Sequence, residues 1–404
     1  SFAEFFESNA ATVIRDSESL SHLIEEEVSS YCLAAGMRLS QVLTEECDLA
    51  RHIAAIEGLF LMTRGDVLSN FTDALFAKMD SQQPWNDFHF LNSAFSDVVE
   101  SSNSNWIETS LVRLSYRGNT AMKISTTVKA IDGLLVEYAV PFPLTYIFTP
   151  NALRSYCSIF VFLLQVRRAK SVLERILLRG AVTNPGFGNG AKVFYAMRGK
   201  LSWFINVLFN YVVTHAVQSQ VLKFKTAFKA AKSLDEMIRI HNNHLEKLLC
   251  KCFLDSTTSP LSKAVLSVLD ICIHFQDLFT TFAGDTTHDI SRLSISMRRH
   301  RSRRQRRQHK DVIGFSLPPP GQDSEDDSDT DLEAEGALDD APESSFSVAP
   351  FPQEDFSTRL EKLSQELDGL VRYIRRGAES LAGGISDAAP AFGVLSFTLE
   401  DWDS

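Results

Sequence analysis

The chain has 404 residues, of which 44% are hydrophobic and 23% are charged. This length and composition exclude a single small module and a wholly disordered chain, and they provide for two or three domains with buried cores. The longest apolar stretch, residues 158–166, is well short of the roughly 20 residues that a membrane-spanning helix needs, so no membrane span is expected.

The six cysteines follow neither a secretory disulfide pattern nor a zinc-ligand spacing. Their distribution predicts reduced intracellular thiols and no zinc site. We expect no metal and no cofactor. The chain begins at Ser1 without a methionine or a signal peptide, so we interpret it as a fragment or a processed product.

Charge is distributed unevenly, although the total is −11. Residues 1–120 carry 7 Lys or Arg against 18 Asp or Glu, a net charge of −11. Residues 121–254 carry 18 against 6, a net charge of +12. Such an excess predicts a positive surface that binds an acidic partner, either nucleic acid or an acidic protein. The alternative is that solvated helical faces simply vary in charge.

Most of the chain has apolar residues at three- and four-residue spacing, which predicts α-helices. Thr149 before Pro150, the capping box Ser233-Leu-Asp-Glu236 and the pair Ser259-Pro260 mark helix starts. The predicted fold is therefore all-α, built of stacked helical bundles. Residues 110–116 and 134–140 differ, because their apolar and polar residues alternate, and they predict a small antiparallel β-hairpin.

The helical pattern stops between residues 285 and 355. Residues 298–310 contain eight Lys or Arg, and residues 321–343 contain 11 Asp or Glu and no Lys or Arg. Such blocks cannot bury enough apolar area to offset an ordering cost of about 1–2 kcal/mol per residue, so a long disordered charged insertion is predicted. The predicted organisation is an acidic helical bundle at 1–105, a helical subdomain with the hairpin at 106–284, the insertion at 285–355, a closing helix at 356–376 and a flexible tail at 377–404.

No catalytic pattern is visible, since no Ser/His/Asp or Cys/His order and no carboxylate pair stands out. His241 and His244 lie one helical turn apart, which suits a metal, but no further ligand has the right offset and core packing is the favoured interpretation. Ser324 and Ser328 each precede an acidic residue by three positions, so both are predicted phosphorylation sites of an acid-directed kinase. We expect no enzyme.

Several segments, in a fixed order, resemble one known family. They are Leu61-Met-Thr-Arg-Gly-Asp66, Leu134-Leu-Val-Glu-Tyr138 with Pro141 and Pro143-Leu144, the helix with Tyr156, Ile159-Phe160 and Leu163-Leu164, then Met197-Arg198, Phe204, Asn206 and Tyr211, and finally Leu234, His241, Leu245 and Cys252-Phe-Leu254. Together they resemble the C-terminal half of the gamma-tubulin complex components, often called the second GRIP domain, over roughly residues 35–283 and 356–375.

The resemblance implies a helical scaffold that binds gamma-tubulin and supports microtubule nucleation at a microtubule-organising centre, the spindle pole body or the centrosome. In this family, components assemble side by side through an N-terminal GRIP domain into a ring or spiral. That half is not recognised in this sequence, so binding of gamma-tubulin without lateral assembly is expected. GTP belongs to the tubulin partner.

Because tubulins are acidic, the positive half of the chain and the resemblance point to the same interface. The candidate contacts are Arg154, Arg167, Arg168, Lys170, Arg198, Lys200, Tyr146, Phe148 and Tyr156. For the three aromatic residues, packing in the core is an equally open interpretation. Residues expected to shape the scaffold at a helix break and a turn are Arg64, Gly65, Asp66, Glu137, Tyr138, Pro141 and Pro143.

The segment after Tyr211 lacks the acidic and bulky aromatic residues common in the family, and the charged insertion is an added feature, so a divergent member is predicted. Two other functions stay open. The arginine-rich residues 298–310 could bind nucleic acid or act as an import signal, although attraction to the neighbouring acidic block explains them as well. The helices could also form an adaptor or tethering subunit of another complex.

Overall fold

The computed structural model describes residues 17–81, 83–102, 106–118, 127–176, 188–283 and 353–402. Described residues up to Asp277 and from Arg359 onward belong to one compact unit. Residues 278–358 belong to a second unit, of which only two helix ends are described. The predicted boundary between residues 105 and 106 stays a prediction, since both sides fall within the first unit.

Four described helices precede the hairpin: α1 (Ser17–Glu45), α2 (Leu49–Phe60), α3 (Gly65–Asp80) and α4 (Phe88–Ser101). The inner stripe of α2 is apolar at helical spacing and buried from Leu49 to Phe60. Asp87 caps α4 by accepting a hydrogen bond from the backbone N–H of Phe90 at 3.0 Å. α4 therefore starts where a local sequence signal places it.

The predicted hairpin is present as β1 (Val112–Tyr116) and β2 (Leu134–Tyr138), which pair antiparallel. Leu114 lies opposite Val136. Both side chains are buried, because this face of the hairpin packs on α5. The hairpin is thus a small addition to an all-α fold, as the sequence predicts.

A long helical hairpin follows, formed by α5 (Pro150–Arg175) and α6 (Gly188–Asn210), and α6 continues through a π-helical segment (Tyr211–Gln218) into α7 (Ser219–Ala230). Thr149 caps α5, as predicted, through a 3.3 Å hydrogen bond from the backbone N–H of Ala152. Tyr211 donates its hydroxyl to the carbonyl oxygen of Lys251 at 3.0 Å, which ties the π-helical segment to the neighbouring helix.

The remaining helices are α8 (Leu234–Lys251), α9 (Ser259–Ala283), α10 (Gln353–Ala382) and α11 (Ala389–Glu400). Ser233 caps α8 as predicted, while Glu236 accepts from the backbone N–H of Lys232 at 2.9 Å and not from Ser233. α7 packs against α8, and α8 packs against α5. No helix in this part of the chain or elsewhere among the described residues is long and apolar enough to cross a membrane.

The C-terminal residues correct two predictions. The closing helix, predicted at 356–376, runs from Gln353 to Ala382. The predicted flexible tail at 377–404 is wrong, because it contains the end of α10 and all of α11. Its Gly and Ala content indicated mobility, but Phe392, Leu395 and Leu399 have helical spacing and are buried. Residues 284–352, most of the predicted insertion, lie outside the described residues.

Candidate docking surface

Arg168, one of the predicted contact residues, is a core residue and not a surface cation. It is 4% exposed and pairs with the carboxylate of Asp80, which also receives Arg175. The guanidinium of Arg168 lies 5.3 Å from the centre of the Phe76 ring. This group connects α5 to α3, so the prediction that Arg168 reaches a partner is wrong.

Three further candidate cations are largely engaged within the helical bundle. Burial lowers the pKa of the Arg167 guanidinium, with Asp73 acting in the opposite direction. Lys170 lies 3.9 Å from Glu174 and 4.4 Å from the centre of the Phe209 ring. Arg198 donates to the carbonyl oxygen of Leu173 at 3.3 Å. Their charges therefore chiefly connect α5 with its neighbours.

The last two of the six predicted cations are Lys200 and Arg154. The ammonium of Lys200 lies 3.0 Å from Asp368 on α10 and 5.6 Å from the centre of the Trp402 ring, so it secures the C-terminal helices. Arg154 is exposed on the first turns of α5. The six predicted cations are thus not gathered on one free face, and of the six only Arg154 and Lys200 are exposed.

The predicted aromatic contacts divide between core and surface. Tyr156 and Phe148 are each 2% exposed and pack against His241, whose Nε2 lies 3.2 Å from the Tyr156 hydroxyl. Both are core residues, so their assignment as contacts is wrong. Tyr146 is 57% exposed and makes an edge contact with Phe142, which is 77% exposed. We call Phe142 and Tyr146 the aromatic turn.

Phe142 is a surface residue that the sequence analysis did not select. It stands between Pro141 and Pro143, and a turn fixed by two prolines offers its middle side chain few ways into the core. That flanking pattern was the signal that could have identified it. The aromatic turn leads directly to Phe148, which packs on His241 of α8.

Beneath the aromatic turn lie two buried histidines, His241 and His244. The ring of Phe224 on α7 stacks on His244 with centroids 4.2 Å apart. Burial lowers the pKa of His241 to about 4 and, with help from His241 and Lys251, lowers that of His244 to about 3. Both imidazoles are therefore neutral, and both pack in the core. No group of three potential metal ligands occurs among the described residues.

Within the basic half of the chain, α7 carries a positive surface whose residues were not among the predicted contacts. Between Glu174 and Asp235 the sequence has nine Lys or Arg and no acidic residue. Leu222, 61% exposed, projects from α7 beside exposed Lys223 and Lys229, and exposed Lys232 follows the helix end. We call these four residues the lysine face. Lys225, on its border, pairs instead with the buried Glu57 at 2.8 Å.

The lysine face and the aromatic turn are connected through one layer of core side chains. Phe224, on the inner side of α7, approaches His241 with ring centroids 6.2 Å apart, and Phe148 reaches the same imidazole at 5.0 Å. Exposed apolar and aromatic side chains of this kind are typical of protein–protein interfaces.

The predicted scaffold residues lie at the expected helix break and turn. α2 ends at Phe60 and α3 begins at Gly65, with Arg64 exposed between them and Asp66 in the first turn of α3. Tyr138 is buried and its hydroxyl lies 2.7 Å from Nδ1 of His52.

The structure also describes the other predicted scaffold residues, but not the predicted sites in the charged insertion. Glu137 is exposed on β2, and Pro141 and Pro143 flank Phe142 in the turn to α5. Ser324, Ser328 and the arginine-rich residues 298–310 lie outside the described residues.

Comparison with known proteins identifies one family. A family model described as gamma tubulin complex component C-terminal matches residues 49–375. Gamma-tubulin complex component 5 of Mus musculus is 27% identical over 265 residues, 59% of this chain and 26% of the mouse protein. The Macaca fascicularis component 5 is 26% identical over 68% of this chain and 42% of its own length. Component 3 of Homo sapiens is 22% identical over 59% of this chain and 27% of its own length. The chain thus spans less than half the length of these relatives.

Proposed function

The chain belongs to the gamma-tubulin complex component family, and from this we propose that it is a scaffold subunit that binds gamma-tubulin and supports microtubule nucleation. The match of the family's C-terminal model to residues 49–375 carries the proposal. The part of the family proteins that this chain matches is the part expected to hold gamma-tubulin, so binding of gamma-tubulin is its proposed contribution. Other gamma-tubulin complex components are its further proposed partners, at a microtubule-organising centre.

The lysine face is the proposed site of electrostatic recognition. Tubulins are acidic, and exposed Lys223, Lys229 and Lys232 lie in a stretch without any carboxylate of its own. Opposite charges accelerate the encounter of two proteins and fix their orientation, while buried apolar side chains provide most of the affinity. Leu222 is the proposed apolar anchor within this face.

The aromatic turn is proposed as the second anchor. Phe142 and Tyr146 expose large rings that already contact each other, so little conformational freedom is lost when a partner covers them. Exposed Arg154, on the helix that follows, adds a cation near this anchor. The proposal therefore keeps Tyr146 and Arg154 from the sequence-based candidates and replaces the cations that are engaged within the bundle.

The test is binding of the purified full chain to purified gamma-tubulin at a series of salt concentrations. Reversing Lys223, Lys229 and Lys232 to Glu should slow association about tenfold or more at low salt and flatten the salt dependence. A matched control reverses three exposed cations elsewhere, Arg117, Lys129 and Lys263. Both variants change the net charge by the same amount, so only the position of the charges differs.

The anchors and the alternatives are tested in the same assay. Changing Phe142 and Tyr146 to Ser should raise the dissociation rate about tenfold or more, because anchor side chains act mainly after encounter. Equal losses in the lysine-face variant and its control would refute the proposed surface. Absence of a complex at low salt would refute gamma-tubulin binding and favour an adaptor role, whereas displacement of gamma-tubulin by duplex DNA would favour nucleic-acid binding.

A further inference from the structure

Three lysines gather where α7 packs against α8. Lys247 and Lys251 are one turn apart on α8, and Lys223 is on α7. They meet the carboxylate of Asp387, which lies in the loop between α10 and α11, and the Nζ atom of Lys247 is 2.5 Å from its Oδ2 atom. The hydrogen bond from Lys247 lowers the pKa of Asp387, and the charges of all three lysines act in the same direction. We call Lys223, Lys247 and Lys251 the α7–α8 cluster.

The inner part of the cluster is Lys251, which is 3% exposed. Its ammonium donates a hydrogen bond of 3.2 Å to Oε1 of Gln220, a neutral group that offsets none of the charge. Burial lowers the pKa of Lys251, and the charges of Lys223 and Lys247 lower it further. Because gathering like charges destabilises a folded chain, a cluster of this kind is typical of a site that binds an anion.

Asp387 offsets only part of this positive charge. Three cations face one carboxylate, so an excess of positive charge remains. The side chain of Asp387 is 72% exposed, and an exposed ion pair contributes little to stability. Ile385, two positions earlier, is fully exposed, so its side chain does not hold the loop on the bundle. Another carboxylate can therefore replace that of Asp387 at small cost.

The α7–α8 cluster adjoins the lysine face, because Lys223 belongs to both. We propose, on the basis of the proposed function, that the α7–α8 cluster is a subsite for an Asp or Glu side chain of gamma-tubulin, and that Asp387 occupies it in the free chain. The contact between Lys247 and Asp387 shows the kind of group that the subsite accepts. Until it is displaced, Asp387 also repels the acidic partner, so it slows association.

The test measures the rate at which the intact chain associates with purified gamma-tubulin and with a labelled peptide of eight glutamates, at a series of salt concentrations. Asp387→Asn should speed association with both by about threefold or more at low salt, because a carboxylate that blocks the subsite and repels the partner is removed. Glu366→Gln, at an exposed position of α10, is the matched control with the same change in net charge.

A double-mutant cycle separates the subsite from the general effect of charge. The cycle compares the parent, Asp387→Asn, Lys247→Gln and the variant with both substitutions. In the Lys247→Gln background, Asp387→Asn should lose most of its effect, because the lysine that it uncovers is no longer there. Unchanged thermal unfolding of each variant shows that its fold is intact.

Three results would overturn the inference. The first is an equal effect of Asp387→Asn and Glu366→Gln. The second is slower association of the Asp387 variant, which would make Asp387 a contact of the partner or a support of α11. The third is a gain that persists in full without Lys247, which would mean that net charge alone acts.

The peptide distinguishes failure of this inference from failure of the proposed function. If the parent chain binds the glutamate peptide with the expected pattern but does not bind gamma-tubulin, the cluster is a carboxylate site and gamma-tubulin is refuted as its partner. If the parent chain binds gamma-tubulin and Asp387→Asn matches its control with both probes, the proposed function stands and the subsite is refuted.

Discussion

Replacing His244 by Leu tests the buried histidine pair. His244 is 2% exposed, and neither of its ring nitrogens has a hydrogen-bond partner among the described residues. It faces Phe224, His241 and Lys251, so a proton on its ring would meet one apolar ring and one cation. The folded chain therefore keeps this imidazole neutral, with its pKa lowered to about 3, and His241 has a pKa of about 4.

The sign of the pH effect follows from these pKa values. Above pH 6.5 the histidines are neutral in both the folded and the unfolded chain, so they add no pH dependence. Below that pH the unfolded chain binds protons that the folded chain does not, and stability falls until the folded pKa near 4 is reached. At pH 5 the loss is about 2 kcal/mol for each histidine, or about 4 kcal/mol for the pair.

The measurement is the free energy of unfolding in urea at pH 7 and pH 5. His244→Leu should reduce the difference between the two pH values by about 2 kcal/mol, and at pH 7 it should be neutral or slightly stabilising because a buried polar ring without partners is removed. Asn243→Leu, on the exposed side of the same helix, is the non-titrating control. An unchanged difference in the His244 variant would contradict the buried, neutral assignment.

Three further substitutions should each change the free energy of unfolding. Asp80→Ala should cost roughly 3 kcal/mol of unfolding free energy, because buried Arg168 loses its paired carboxylate; a urea midpoint within error of the parent would argue against that pairing. Gly58→Ala should cost about 1–3 kcal/mol, since the new methyl group would lie 2.5 Å from the Trp106 ring. Gly199→Ala meets no atom of the described residues within 4 Å and should stabilise the chain by about 0.5–1 kcal/mol. Equal effects of the two alanines would refute the steric account.

The sequence predicted helices and the hairpin well because their signals are local. Thr149 and Pro150 act within one turn of α5, and the alternation in 134–140 directly reports a half-buried strand. The C-terminal helix was missed although Phe392 and Leu395 have helical spacing, because glycine and alanine nearby indicated mobility. Composition was given too much weight there, and periodicity too little.

The candidate surface was harder to predict, because a cation's role depends on partners that are remote in sequence. Arg168 pairs with Asp80, 88 residues earlier, and Lys200 pairs with Asp368, 168 residues later. No local pattern reports such pairs, so charge counting alone does not show which cations are paired within the bundle. The burial of Tyr156 against His241 is likewise set by packing between α5 and α8.

Hydrogen exchange of the chain with and without gamma-tubulin tests the central claim most directly. Binding through the lysine face and the aromatic turn predicts slower exchange of backbone amides in residues 219–232 and 141–154, and little change in α2 and α3. Slower exchange confined to α2 and α3, with 219–232 unchanged, would contradict this account of how the chain binds gamma-tubulin.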